Sequence, residues 1–332
     1  MDGWIEQTMR AAGMSALALG VSIGSANALV ITPTFDSSIT SLSNAAVVEQ
    51  AFDIAVDAYE TAFATSATIH VDVSWGKVNG GALPSGALGA SVDSLYGYFT
   101  YAQVRSWLPS SDVLPASPAS PNKYVVPSAE AKALGLLSAN SAGYDGYIGF
   151  GLAGSNYSFT SGATKAGTYN FIAVAEHELD EVLGRISGIG DGFAAPFDLF
   201  RYTRSNASEV SPNFSASTAA YFSTTGGATQ DGPSFNNARS GDRSDWYSTP
   251  ASTDIQDAVL YPAITPHLSQ ADLDGLDVLG FRPSASQPAQ QWVARRGTAS
   301  FALVPEPASI VLFGVGLAAL RPCTVRRRRN AA

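Results

Sequence analysis

A histidine and two glutamates stand close together near the middle of the chain, in the segment His177-Glu178-Leu179-Asp180-Glu181. On an α-helix, residues four apart project from one face, so His177 and Glu181 can hold one metal ion between them. Zn²⁺ accepts both an imidazole nitrogen and a carboxylate oxygen as ligands. Glu178 would then act as a general base, because zinc lowers the pKa of water and a neighbouring carboxylate can take the proton. The segment predicts a zinc site with Glu178 as its catalytic residue.

This motif departs from the zinc motif His-Glu-x-x-His, because Glu181 stands where the second histidine would be. A donor set with more carboxylates is harder than that of a usual structural zinc site, which makes Mn²⁺ or Ca²⁺ an alternative to zinc. Five residues of this kind also occur on acidic helices that bind nothing. A solvated helix face is therefore the competing interpretation of the segment.

Helical spacing of apolar residues predicts that the motif lies on a central helix from about Asn170 to Ile186. Gly184 and Gly188 weaken the helix after residue 183 and help to end it. Upstream, the patterns predict a helix over 45–63, a strand over 68–75, a short helix over 129–137, and strands over 144–152 and 157–160. The segment 80–89 is predicted as a loop, and 94–107 as partly helical. Downstream, the loop-rich stretch 188–255 precedes a short helix capped by Ser269.

Composition limits the classes of function. Hydrophobic residues make up 45% of the chain, which is enough for a substantial core. The formal net charge is −9, and the two ends carry six basic and three acidic residues, so the body between them is more acidic still. Such a body has no basic stripe, which argues against nucleic acid and anionic membrane surfaces as partners. The single cysteine, Cys323, lies outside the body and excludes a disulfide framework.

The first residues have the pattern of a signal peptide. Arg10 precedes an apolar run from Ala11 to Ile23, and Ser25-Ala26-Asn27-Ala28 follows as an Ala-x-Ala cleavage site. The pattern predicts export with cleavage after Ala28. The residues before Met9 are acidic, so Met1 and Met9 are both candidate start positions.

The last residues resemble the PEP-CTERM sorting tail of Gram-negative bacteria. They contain Val304-Pro305-Glu306-Pro307, an apolar run from Ala308 to Leu320, and an arginine cluster at 326–329. The apolar run alone is shorter than the roughly 20 residues of a membrane span. The resemblance implies transient retention in the inner membrane, processing by an exosortase, and delivery to the cell surface or extracellular matrix. Residues 1–28 are thus predicted as signal peptide, 29–282 as the folded domain, 283–303 as a linker, and 304–332 as the tail.

Several elements accompany the histidine motif: the run from Gly167 to Arg185 around it, Asp198-Leu199-Phe200-Arg201-Tyr202, and the Leu-Ser-x-x-Asp and Leu-Gly-Phe elements at 268–272 and 279–281. In these elements the body resembles a group of bacterial zinc metalloproteases that often carry PEP-CTERM tails. Gly184, seven residues after His177, also matches the metzincin pattern. The resemblance implies an α+β, zincin-like domain with a mixed sheet, a central metal-binding helix and long loops. It further implies a protein or peptide substrate.

The third metal ligand is not evident from the motif. Asp198, in the run that carries the resemblance, is the preferred candidate, and Asp191 is the second. His70 lies within a strand pattern and is expected to be a packed residue, whereas His267 lies in a loop and is retained as a weaker candidate ligand.

Several other residues can take part in the site or serve only as structure. Arg185 and Arg201 can stabilise an oxyanion or form salt bridges, and Tyr202 can donate to an oxyanion or pack in the core. The acidic turn from Gly241 to Asp245, before Trp246, can bind calcium or be a simple turn.

Two functions follow from these observations. The first is an exported zinc-dependent endopeptidase with Glu178 as general base and His177, Glu181 and Asp198 as ligands. The second is a non-catalytic surface or matrix protein on a zincin scaffold, which suits the absent histidine ligands and the uncharged loops.

Overall fold

The computed structural model describes residues 28–118, 122–151, 156–206, 209–238 and 241–284. Nearly all of the predicted signal peptide, nearly all of the predicted linker, and the predicted sorting tail lie outside these residues.

The described residues form a mixed α+β structure. The helices are α1 (Ser37–Thr40), α2 (Ala45–Ala62), α3 (Tyr101–Trp107), α4 (Ser128–Ala133), α5 (Phe171–Leu183) and α6 (Gln270–Asp277), with a 3₁₀ helix at Pro196–Phe200. The strands are β1 (Leu29–Phe35), β2 (Ala67–Trp75), β3 (Lys77–Val78), β4 (Gly81–Ala82), β5 (Gly89–Asp93), β6 (Leu95–Phe99), β7 (Tyr124–Pro127), β8 (Gly146–Phe150), β9 (Tyr157–Ser158), β10 (Tyr169–Asn170), β11 (Arg201–Arg204), β12 (Val210–Pro212) and β13 (Tyr221–Phe222). The expected α+β class with a mixed sheet is confirmed at this level.

The largest sheet has four strands in the order β1-β2-β8-β5. Strands β1, β2 and β8 run parallel, and β5 pairs antiparallel with β8 at one edge. Alternate residues of β2, from Ala67 to Val73, are buried in the main core, as the period of a strand requires. The strand predicted over 68–75 is therefore confirmed, whereas β1 and β5 were not predicted.

Helices α2 and α5 pack together in the main core. The helix predicted over 45–63 is confirmed as α2, and its apolar residues face this core. The hydroxyl of Tyr59 donates to the carbonyl of Glu176 at 2.6 Å, which joins the two helices through a buried hydrogen bond. Phe171, at the start of α5, packs against Phe150 of β8 with ring centroids 4.8 Å apart. These contacts hold α5 against the sheet.

Local sequence explains where α5 begins and ends. Asn170 is the N-cap, and its side-chain oxygen accepts from the backbone N–H of Ala173 at 3.0 Å. At the other end Gly184 has φ of 124°, a conformation that favours glycine, and its N–H donates to the carbonyls of Asp180 and Glu181. The helix is therefore shorter than predicted, ending at Leu183 instead of 186. Almost every residue of α5 is buried, so the interpretation of the motif as a solvated helix face is wrong.

Arg185 lies just after α5 and is fully buried. Its Nη1 donates to Asp180 at 3.2 Å and to Asp272 of α6 at 2.8 Å, and its Nη2 donates to the carbonyl of Ser244 at 3.2 Å. The guanidinium carbon also lies 4.1 Å from the ring centroid of Trp246. Arg185 therefore connects the end of α5, the start of α6 and the loop around residue 244. Of the two roles that the sequence allowed, the salt bridge is the one observed.

Replacing Arg185 with methionine should lower the free energy of unfolding by about 3–5 kcal/mol, because two buried carboxylates lose their cation. Urea denaturation followed by circular dichroism measures the loss. Arg282→Met is the matched control, since Arg282 is exposed and should change stability by less than about 0.5 kcal/mol. Equal stability of the two variants would contradict the stabilising role of Arg185.

Candidate metal centre

Three buried side chains come together beside α5. The ligand atoms of His177, Glu181 and Asp245 all lie within 4.8 Å of one another. His177 Nε2 is 3.8 Å from Glu181 Oε1 and 3.9 Å from Asp245 Oδ1. Tetrahedral ligands about 2.0–2.2 Å from one zinc ion are about 3.3–3.6 Å apart, so the two distances from His177 Nε2 are only a few tenths of an ångström longer. The group fits one metal ion held by one nitrogen and two carboxylate oxygens.

A hydrogen bond fixes the orientation of the histidine ring. His177 Nδ1 lies 2.9 Å from the carbonyl oxygen of Ile255. Because a carbonyl can only accept, Nδ1 carries a proton and donates it, and Nε2 is the ring nitrogen that faces the two carboxylates. A ligating histidine with its second nitrogen bound to a carbonyl is the usual arrangement at protein metal sites.

The two carboxylates are also held in place. Glu181 Oε2 accepts from the hydroxyl of Ser91 on β5 at 2.6 Å, which leaves Oε1 directed at the histidine. The other carboxylate, Asp245, accepts from the backbone N–H of Asp242 through Oδ2 at 3.0 Å. Each acid therefore uses one oxygen for a structural hydrogen bond and presents the other to the group.

The position of Asp245 depends on its two neighbours in sequence. The carbonyl of Ser244 accepts from Arg185, and the indole N–H of Trp246 donates to Asp272 at 2.8 Å. Trp246 is fully buried against Phe235, with ring centroids 5.0 Å apart. A loop residue is thus placed beside α5 by buried contacts on both sides of it.

The side chain of Glu178 extends from α5 toward the edge strand β5. A Cβ atom added to Gly89 would lie 2.4 Å from Glu178 Oε1 and 2.8 Å from Val174 Cγ1. Only glycine therefore allows the strand backbone to approach the glutamate this closely. Glu178 is next to His177 on the helix, and both are buried.

The structure does not bring Asp198 into the group. Its Oδ1 accepts from the hydroxyl of Ser187 at 2.6 Å, and its Oδ2 accepts from the N–H groups of Gly188 and Ala195 at 2.9 and 2.8 Å. Burial raises the pKa of Asp198, while Arg201 and these three donors act in the opposite direction. Its carboxylate secures the start of the 3₁₀ helix. We therefore revise the predicted ligand set, with Asp245 in place of Asp198.

The remaining candidate ligands also lie outside the group of three. Asp191 is exposed on a turn. His70 lies on β2, where its backbone N–H donates to Asp145. His267 lies in the loop before α6, where its N–H donates to the carbonyl of Thr253.

Two proposed oxyanion donors have structural partners. The guanidinium of Arg201 is buried, donates to the carbonyl of Arg243 and lies 4.3 Å from the ring centroid of Phe235. Burial lowers its pKa to about 10, although the charge of Asp198 acts in the opposite direction. The hydroxyl of Tyr202 donates to the carbonyl of Val113 at 3.1 Å.

The C-terminal residues 303–329 match the family model of the PEP-CTERM protein-sorting motif. The predicted sorting tail is therefore confirmed, and the motif implies export, exosortase processing and membrane-associated sorting to the cell surface. No curated protein and no solved structure matches the chain. Within the part of the chain that the structure describes, no helix combines the length and apolarity needed to cross a bilayer.

Replacing Gly89 with alanine should disturb this centre, because the new methyl group collides with Glu178 and Val174. Overpacking of this kind costs about 1–3 kcal/mol, measurable by urea denaturation. Gly162→Ala is the control, since an added Cβ at Gly162 meets nothing within 4 Å. If both variants were as stable as the original chain, the close approach of β5 to Glu178 would be contradicted.

Proposed function

We propose that this chain is an exported zinc-dependent peptidase, with His177, Glu181 and Asp245 as metal ligands and Glu178 as general base. The observation that carries the proposal is the position of Asp245, which lies 68 residues from His177 in sequence and yet has Oδ1 3.9 Å from His177 Nε2. A sequence coincidence on one helix would not recruit a third ligand from a distant loop.

The donor set supports zinc. One imidazole and two carboxylates are acceptable zinc ligands, and three protein ligands leave a fourth position for water or substrate, as at catalytic zinc sites. The Nδ1 hydrogen bond to Ile255 sets the histidine tautomer that a metal requires.

The position of the edge strand also supports a peptidase. Strand β5 pairs antiparallel with β8 and lies along α5, with Gly89 against Glu178 and Ser91 bonded to Glu181. This order of elements resembles the zincin plan, in which a strand above the metal helix binds the substrate chain. Extended peptides commonly bind by adding to such a strand.

Peptide hydrolysis adds the hydroxyl of water to the carbonyl carbon and a proton to the nitrogen that leaves. A bound zinc ion supplies Lewis acidity that lowers the pKa of water and polarises the carbonyl. Glu178 takes the proton from water as the carbon–oxygen bond forms, and returns it to the nitrogen as the carbon–nitrogen bond breaks. Ser91 holds Glu181, and Ile255 holds His177, so that neither ligand turns away during the reaction.

A second candidate function is a non-catalytic surface protein with a structural metal. The exposed fractions are 3% for His177, 1% for Glu181 and 0% for both Glu178 and Asp245. Structural metal sites are closed in this way, whereas a catalytic site must admit its substrate. In a peptidase, the loop that carries Asp245 or the edge strand must move to open the site.

The proposed zinc binding and peptidase activity are tested with the variants Glu178→Gln and His177→Ala in the full chain. His177→Ala should lose the zinc, whereas Glu178→Gln should keep one zinc per chain and lose peptide hydrolysis by about 10²–10⁴-fold, the usual contribution of a general base. Zinc is measured by mass spectrometry of the purified protein, and hydrolysis with a library of fluorogenic peptides.

Glu176→Gln is the matched control, because Glu176 is on the same helix and is not one of the groups around the metal. It should retain both zinc and activity. Absence of a bound metal in the original chain would refute the proposal. A bound zinc whose removal unfolds the protein, without any hydrolysis by the original chain, would favour the structural alternative.

A further inference from the structure

The buried polar region continues beyond the metal centre along β5. Residues two apart on a strand share a face, and the face of β5 that meets α5 carries Gly89, Ser91 and Asp93. Gly89 lies against Glu178 and Ser91 is bonded to Glu181. Asp93 is the next residue on this face and pairs with Gly146 of β8, where an added Cβ atom would lie 2.6 Å from Val182 near the end of α5. Glu130 of α4 also lies there, with its carboxylate 3.4 Å from a Cβ atom added to Gly184.

Asp93 and Glu130 are buried, and no described residue donates a hydrogen bond to either carboxylate. Their exposed fractions are 5% and 0%, and none of their four carboxylate oxygens accepts a hydrogen bond from the described residues. Two other buried acids, Asp145 and Asp272, each have more than one donor. Asp145 accepts from Ser128 and Lys132, and Asp272 accepts from Arg185, Trp246 and Ser269.

The electrostatic surroundings of this pair are negative. Burial raises the pKa of Asp93 well above its usual value, and the charges of Glu181 and Asp242 raise it further. Burial likewise raises the pKa of Glu130, and the charge of Asp93 adds to the effect. The two buried basic residues nearest to Glu130 in sequence already form salt bridges with other acids. Lys132 pairs with Asp145, and Arg185 pairs with Asp180 and Asp272.

A buried carboxylate without a donor or a cation is strongly unfavourable, so this region requires bound protons or a positive charge that the described residues do not supply. A single metal ion beside His177 does not supply it, because Glu181 and Asp245 already match its two charges. The acids at the end of α5 need a partner of their own.

We propose that Asp93 and Glu130 bind a second divalent cation of the calcium class. The site offers only oxygen donors, which select hard cations such as Ca²⁺ over zinc, and backbone carbonyls or water complete the coordination of such ions. Gly184 contributes by leaving space, since a side chain there would press against Glu130. The proposal does not depend on peptidase activity or on the metal beside His177.

The test measures Ca²⁺ binding by calorimetry on the full chain, after chelation and reloading with one equivalent of zinc. The original chain should bind one Ca²⁺ and gain thermal stability from it. Asp93→Asn combined with Glu130→Gln should bind Ca²⁺ at least about 10-fold more weakly. These neutral isosteres remove repulsion and keep the volume, so we expect the variant to fold.

Two further variants separate this site from the first. His177→Ala should lose zinc and still bind Ca²⁺ with the original affinity. Asp257→Asn, which neutralises a buried acid outside the region, should bind like the original chain. Absence of a calcium-dependent rise in melting temperature in the original chain, or undiminished Ca²⁺ binding by the double variant, would overturn the proposal. The first of these results would mean that the pair holds protons instead.

Discussion

The salt bridge between Arg185 and Asp272 is the constraint on which the candidate metal centre depends. It joins Arg185, two residues after the end of α5, to Asp272 in the capping box of α6, while the same guanidinium donates to the carbonyl of Ser244. Trp246 reaches Asp272 from the other side of Asp245. The third ligand is therefore held by the residues before and after it. The Gly-Arg and Leu-Ser-x-x-Asp elements that carried the resemblance in sequence meet here in space.

The fold buries many carboxylates, and the chain compensates their negative charge with cations and with backbone N–H groups. Arg185 compensates Asp180 and Asp272, and Lys132 compensates Asp145 at 2.6 Å. Backbone N–H groups compensate Asp198. Among the described residues, no lysine or arginine compensates the acids around β5 and the adjoining face of α5. We place both proposed metal ions in this region.

The long helices and strands could be predicted from the sequence, but only part of the candidate site could. Periodic apolar residues revealed α2, α5 and β2, and capping chemistry revealed the start of α6. Strand β5 was missed because its small and polar residues have no apolar alternation, since they face glutamates instead of a core. Asp245 was missed as a ligand because only tertiary packing of Trp246 and Arg185 brings its loop to the helix. Its acidic turn was visible, but nothing in the spacing connected it to His177.

The C-terminal end of the described body has a mechanical consequence for a protein sorted by its tail. Residues 282–284 are joined to the turn after α2 by three hydrogen bonds, from Ala64 to Arg282, from Arg282 to Thr65 and from Ser284 to Ala62. A force applied through the tail acts first on these three hydrogen bonds, before it reaches α6 and Asp272. The same turn leads directly into β2, which pairs with the first strand at Leu29. The C-terminal end of the described body is thus fixed to the corner of the domain where α2 leads into β2.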